Sequence, residues 1–174
     1  RRVLFRSLDV AVAFSGLLCT SPLLGAVLLA VWLQDFKSPF YIASRAARNG
    51  GEFRMVKLRS MVVNADKQGG SSTAGNDKRV TAVGRFIRKY KLDEVIQLWN
   101  VLIGDMSLVG PRPQVVADTR DLYTAEERRM LTVRPGITDL ASIVFSDEGE
   151  ILRGAARSEE HTSELQSRFG ISYA

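Results

Sequence analysis

Two neighbouring carboxylates, Asp93 and Glu94, follow a basic run of Arg85, Arg88, Lys89 and Lys91 and open an apolar stretch that ends at Gly104. The spacing predicts a helix over Glu94 to Ile103 with Asp93 as its N-cap. Both acids then sit where backbone N–H groups and the positive end of the helix dipole converge. Phosphate groups are drawn to the same place. A carboxylate facing such a site can attack phosphorus and form an acyl phosphate. Asp and Glu in a first turn are also ordinary helix-start chemistry, and the spacing by itself leaves both readings open.

The rest of the inventory narrows the chemistry. Cys19 is the single cysteine and lies inside an apolar segment, which excludes an intrachain disulfide and points to packing. The single histidine, His161, falls in a polar tail. Without a usable His or Cys there is no Ser-His-Asp triad, no Cys-His pair and no thiolate or imidazole zinc site. Carboxylates, arginines and lysines must carry the reaction. The formal charge of +5 and pI near 9.7 suit an anionic partner, whether phosphorylated substrate, acidic lipid or nucleic acid. No RNA-binding or helix-turn-helix pattern is present, so no nucleic-acid partner is expected. A length of 174 residues suits one domain with a modest core.

Several elements must position these groups. Val10 to Leu33 is a run of 24 residues without a charge. As one straight helix it is about 36 Å long, enough to cross a bilayer core of about 30 Å. Pro22 sits at its centre, with Ser21 beside it to satisfy a carbonyl that the proline releases. Arginines precede the run and Lys37, Arg45, Arg48 and Arg54 follow it, so both ends favour the cytoplasmic side. A re-entrant hairpin broken at Ser21-Pro22 satisfies both flanks, and a kinked helix that spans is the alternative.

Phe40 to Ile42 and Glu52 to Met61 read as extended segments around a turn at Asn49-Gly50-Gly51. The polar stretch Asn64 to Asn76 reads as a surface loop. Val83, Phe86, Ile87 and Tyr90 fall at helical spacing with Arg85, Arg88 and Lys89 turned elsewhere, a basic amphipathic helix suited to an anionic leaflet. In Gly110-Pro111-Arg112-Pro113 two prolines fix φ around one guanidinium. Such an arginine either recognises phosphate or simply faces solvent. Asp121 to Leu131 is expected to be a short helix capped by Thr124.

The string Leu92-Asp93-Glu94-Val95-Ile96-Gln97-Leu98-Trp99-Asn100-Val101-Leu102, continued by Gly104-Asp105-Met106-Ser107-Leu108-Val109-Gly110-Pro111-Arg112-Pro113, resembles the bacterial sugar transferases, the monotopic phosphoglycosyl transferases. Three further elements resemble the same family. They are Lys57-Leu58-Arg59-Ser60-Met61, the pattern from Asp77 through Thr81 and Gly84 to Arg88, and Arg134-Pro135-Gly136-Ile137-Thr138. Arg45 is similar to the family's arginine ahead of its first turn. Asp139-Leu140-Ala141-Ser142-Ile143 departs from the Gly-Trp-Ala-Gln continuation of many members.

The resemblance implies a mainly helical α+β fold with a re-entrant membrane hairpin, interfacial amphipathic helices and a small β-hairpin. It implies a Mg²⁺-dependent enzyme at the cytoplasmic face of the bacterial inner membrane. The reaction moves a sugar 1-phosphate from a UDP-sugar to polyprenyl (undecaprenyl) phosphate through a covalent phosphosugar on Asp93. Glu94 then assists with metal or proton, and Asp93 and Glu94 are the metal ligands. Arg88, Arg112, Lys57 and Arg59 hold phosphate. A non-catalytic membrane-surface binding module is the alternative. The expected division is 8–35 membrane hairpin, 36–153 catalytic domain, and 154–174 a non-native tail resembling translated adapter sequence. Residues 1–7 share that suspicion more weakly, and a chain truncated in this way is expected to be open to loss of activity.

Overall fold

A computed structural model describes residues 2–65, 77–121, 123–124 and 127–139. The loop beyond Ala65, the variant element after Asp139 and the tail 154–174 lie outside them.

The architecture is mixed helix and strand, with a long apolar helix at the N-terminus. Helix α1 (Arg2–Asp35) runs through Pro22, so both halves of the expected hairpin are helical. Proline at 22 cannot donate to the Leu18 carbonyl, and Ser21 Oγ donates to that same carbonyl at 2.8 Å. One stripe of α1 is interior: Asp9, Ala13, Leu24, Val27 and Val31 are buried. The three- and four-residue steps between most of these positions put them on a common face. The opposite face leaves Phe14, Leu18, Leu29 and Leu33 exposed.

Both ends of α1 are tied to later parts of the chain. Arg6 donates to the carbonyls of Val101 at 2.6 Å and Leu102 at 2.9 Å, a cation on a helix C-terminus. Asp9 accepts from Ser107 Oγ at 2.7 Å and from the Leu108 N–H at 3.2 Å. At the far end Asp35 is gripped by Arg59 through two contacts of 2.6 Å.

Strands β1 (Phe40–Ala46) and β2 (Glu52–Leu58) form the expected antiparallel hairpin, with Phe40 opposite Leu58 and Ala46 opposite Glu52. Asn49 and Gly50 turn the chain at φ 61° and 77°, a conformation that Asn and Gly tolerate best. Phe53 and Met55 face inward and join Ala13, Ala43, Val101 and Met106 in one core cluster. A second cluster gathers Leu24, Val27, Val31, Leu58, Ile87 and Leu92. The membrane-like helix therefore supplies side chains to both.

Helices α2 (Ala82–Lys89), α3 (Leu92–Val95) and α4 (Leu98–Ile103) come next. The single helix expected over Glu94 to Ile103 is divided. Gln97 and Trp99 bond three residues back, to Glu94 and Ile96, which tightens the chain between two short helices. Strand β3 (Ser107–Val109) pairs in parallel with β4 (Gly136–Thr138). Between them lie α5 (Val116–Asp121) and a 3-10 helix, Glu127–Thr132. The expected helix over Asp121 to Leu131 is thus also corrected: Asp121 ends the first of these, and 127–131 belong to the second. Thr124 does cap the second, accepting from the Glu127 N–H at 3.3 Å while the Glu127 carboxylate accepts the Thr124 N–H at 2.8 Å.

Candidate active site

The two acids stand in the first turn of α3, directly after Lys91, whose φ of 53° is left-handed. Lys91, not Asp93, occupies the N-cap position, which corrects the expected cap. The reason is local: the left-handed residue turns the chain sharply out of α2, so the helix begins one residue before Asp93. Asp93 and Glu94 still lie in the first helical turn. A left-handed lysine costs about 1 kcal/mol or more, a strain that the packing of Leu92 and Ile87 in one cluster helps to offset.

Arg88 reaches the same place from α2. Thr81 caps that helix, its hydroxyl accepting from the Gly84 N–H at 2.9 Å. Gly84 lies so close to Ser60 that a Cβ there would stand 1.8 Å from the Ser60 carbonyl oxygen. One turn later Arg88 Nε donates to Ser60 Oγ at 3.0 Å. Burial pushes the Arg88 guanidinium below its usual pKa, and the charges of Asp93 and Asp77 oppose that push.

Lys57 comes from β2. It follows Phe53 and Met55 at two-residue steps, so the strand's inward alternation carries it towards the acids. Burial lowers its pKa, Asp93 and Glu94 counter the fall, and Arg112 and Arg45 add to it. Asp93 thus bears on two partly desolvated cations from different elements, Lys57 and Arg88.

Arg112 approaches from the turn after β3, its Nη2 3.7 Å from Glu94 Oε1. Its turn is braced by a close crossing of two glycines. A Cβ on Gly136 would fall 2.1 Å from the Gly110 nitrogen, and Gly136 N–H donates to the Pro111 carbonyl at 2.9 Å. The Arg112 N–H donates to the buried carboxylate of Asp139 at 3.3 Å. Two motifs distant in the chain are thereby locked together backbone to backbone.

Lys57, Arg88, Asp93, Glu94 and Arg112 are thus brought together, and Arg59 is not. It leaves β2 and spends its fork on Asp35 at the end of α1, where the ion pair holds the Asp35 pKa below the ordinary carboxylate value. Ser21 and Pro22 lie in α1 and do not contribute to this site.

Residue chemistry alone does not single out Asn100. It is fully buried on α4, accepts the Val56 N–H at 3.0 Å and donates to the Arg54 carbonyl at 2.9 Å. An amide standing in for a neighbouring strand thus ties β2, which carries Lys57, to the helical pair that carries the acids. An Asn inside an apolar helical run is the available signal. Gly84, in the middle of a basic helix, is another.

Among the described residues no three His, Cys, Asp or Glu side chains converge as a metal cage. Two adjacent carboxylates do suit Mg²⁺, which keeps waters and binds through one or two carboxylates together with substrate phosphates.

A family model described as bacterial sugar transferase matches residues 1–164, beyond the stretch 8–153 that carries the motifs. The chain is 39% identical to the exopolysaccharide production protein ExoY of Sinorhizobium fredii, over 79% of this chain and 67% of that protein. It is 40% identical to the UDP-glucose:undecaprenyl-phosphate glucose-1-phosphate transferase of Escherichia coli, over 82% of this chain and 31% of the relative. It is 38% identical to the undecaprenyl-phosphate galactose phosphotransferase of Salmonella typhimurium, over 80% of this chain and 32% of the relative. The chain therefore spans about two thirds of the first of these and about one third of the other two.

Proposed function

The chain belongs to the bacterial sugar transferase family, and on that premise we propose that it transfers a sugar 1-phosphate from a UDP-sugar to a polyprenyl (undecaprenyl) phosphate. The observation that carries this reading is the convergence of Lys57 and Arg88 on Asp93, with Arg112 against Glu94. Cations kept partly out of water need anions, and two carboxylates leave room for a diphosphate to supply more.

A carboxylate oxygen of Asp93 attacks the sugar-proximal phosphorus. The bond from that phosphorus to the bridging oxygen breaks, and UMP leaves with the electron pair. An oxygen of polyprenyl phosphate then attacks the same phosphorus, and the bond to Asp93 breaks, restoring the carboxylate. No net proton is gained or lost by Asp93 over the cycle. Lys57, Arg88 and Arg112 hold the phosphate oxygens in place before and during each displacement. Glu94 orients Arg112 and, with Asp93, offers the oxygens that suit Mg²⁺. The ion, when bound, offsets charge on the phosphoryl oxygens.

The arrangement of α1 supports a monotopic placement, and the basic residues that follow it, Lys37, Arg45, Arg48 and Arg54, support the cytoplasmic face of the inner membrane. The helix is long and apolar enough to cross a bilayer. Its Arg6 end and its Asp35 end are nevertheless both bonded to the same polar domain. A helix crossing the bilayer would drag one of those attachments through hydrocarbon, whereas one that stays on a single side of the bilayer keeps both. Its unpacked face, with Phe14, Leu18, Leu29 and Leu33, is then the surface covered by lipid.

The test is Asp93→Asn in membranes given a panel of UDP-sugars. UMP release is expected to be abolished, and release near the unsubstituted rate removes Asp93 from the role of nucleophile.

A further inference from the structure

Ser60 lies just beyond β2, is buried, and is met by three successive features of α2. The capping residue Thr81 donates its N–H to the Ser60 carbonyl at 3.1 Å. One turn on, Gly84 packs against that carbonyl with no room for a side chain. A further turn on, Arg88 Nε meets Ser60 Oγ at 3.0 Å. The start, middle and functional end of the helix therefore take their position from one residue of another element. These contacts fix the height and rotation of α2, and the last fixes the plane of a guanidinium.

That last contact matters because an arginine acts through a planar fork. Anchoring Nε sets the plane in which the two terminal nitrogens lie and removes rotations that a free side chain must lose on binding. We infer that Ser60 is a positioning residue for the transfer reaction, its hydroxyl holding the Arg88 guanidinium in the orientation from which it meets phosphate beside Asp93. The inference rests on the proposed function for its reaction, and on the hydrogen-bond geometry alone for its residue pair. The serine hydroxyl accepts from arginine and keeps its own hydrogen, so an oxygen at this position suffices and a methyl does not. Burial of the guanidinium makes the loss heavier, since an Nε–H left without its partner has poor access to water.

The experiment is a double-substitution cycle on the full chain in lipid nanodiscs, reading UMP release and, separately, UDP binding by calorimetry. Ser60→Ala is expected to lower kcat/KM and UDP affinity by about tenfold or more, the usual worth of a hydrogen bond to a charged group. Ser60→Thr, which keeps the oxygen, restores most of both. Lysine has no Nε N–H of this kind, so in an Arg88→Lys background Ser60→Ala causes no further loss. Equal losses in the two backgrounds, with melting temperature falling in parallel, overturn the inference and leave Ser60 a packing residue. So does an unchanged Ser60→Ala chain. If the unsubstituted chain neither releases UMP from any UDP-sugar nor binds UDP, the functional reading fails; if UMP release alone is missing, the calorimetric cycle still decides whether Ser60 acts through Arg88.

Discussion

The side-chain oxygen of Asn100 accepts the main-chain N–H of Val56 at 3.0 Å, and its amide nitrogen returns a bond to the Arg54 carbonyl at 2.9 Å. A two-stranded hairpin has two open edges, and this asparagine closes part of one from a helix. Lys57 is the next residue along that strand. Its approach to Asp93 and Glu94 is therefore set by an amide on α4 as well as by the alternation of the strand.

Asn100→Ala should leave a main-chain donor and a main-chain acceptor unpaired in the interior. The expected cost is about 2–6 kcal/mol of unfolding free energy, from two unmet groups at about 1–3 kcal/mol each. Denaturant melts in detergent read it, and a loss below about 0.5 kcal/mol removes Asn100 as the link between strand and helix.

Gly84→Ala puts a methyl where the Ser60 carbonyl already stands, 1.8 Å from its oxygen. Helix α2 must lift, at about 2 kcal/mol or more, and Arg88 moves with it. Gly25→Ala in α1 is the control, because nothing lies within 4 Å of its added carbon. Equal melting temperatures for the two variants contradict the close approach.

Lys57 gives opposite pH trends for stability and binding. Its folded pKa is lowered by burial, so between that value and the ordinary lysine value of about 10.4 the unfolded chain holds the extra proton. Stability contributed by this group therefore rises with pH through that window. UDP affinity falls over the same rise, as the ammonium is lost at the folded pKa. Lys57→Met should flatten its share of both trends, measured by melts and calorimetry in one buffer series.

Arg59 and Arg112 should separate cleanly. Arg59→Gln breaks the grip on Asp35, lowers the melting temperature and changes UDP affinity by less than about twofold. Arg112→Gln weakens UDP binding by about tenfold or more, as expected for loss of a charge-assisted contact to phosphate. A large affinity loss in Arg59→Gln would return that residue to the phosphate site.

Local chemistry was legible where it depends on neighbours along the chain. The Asn49-Gly50 turn, the alternation of Phe53 and Met55, the capping by Thr124 and the bond from Ser21 to the carbonyl freed by Pro22 all stem from residue type and spacing. The start of α3 did not, because a left-handed Lys91 is imposed by the packing of the flanking apolar residues and not by lysine's own preference. Arg59 was equally opaque. Its spacing from Lys57 puts both on one face of a continuing strand, but the strand ends at Leu58 and Asp35 captures the guanidinium.

By itself the sequence determined the kind of chemistry available: adjacent acids, arginines and lysines, a single thiol inside an apolar segment and a single imidazole in a polar tail, and an apolar helix of membrane length. Only the tertiary structure decided which cations meet those acids, and that one stripe of the apolar helix belongs to the core. The physical reason is range. Turns, caps and alternation are settled within a few residues. The meeting of Lys57, Arg88 and Arg112 depends instead on backbones brought into contact across the fold at Gly84, Gly110 and Gly136, and on one buried amide at Asn100.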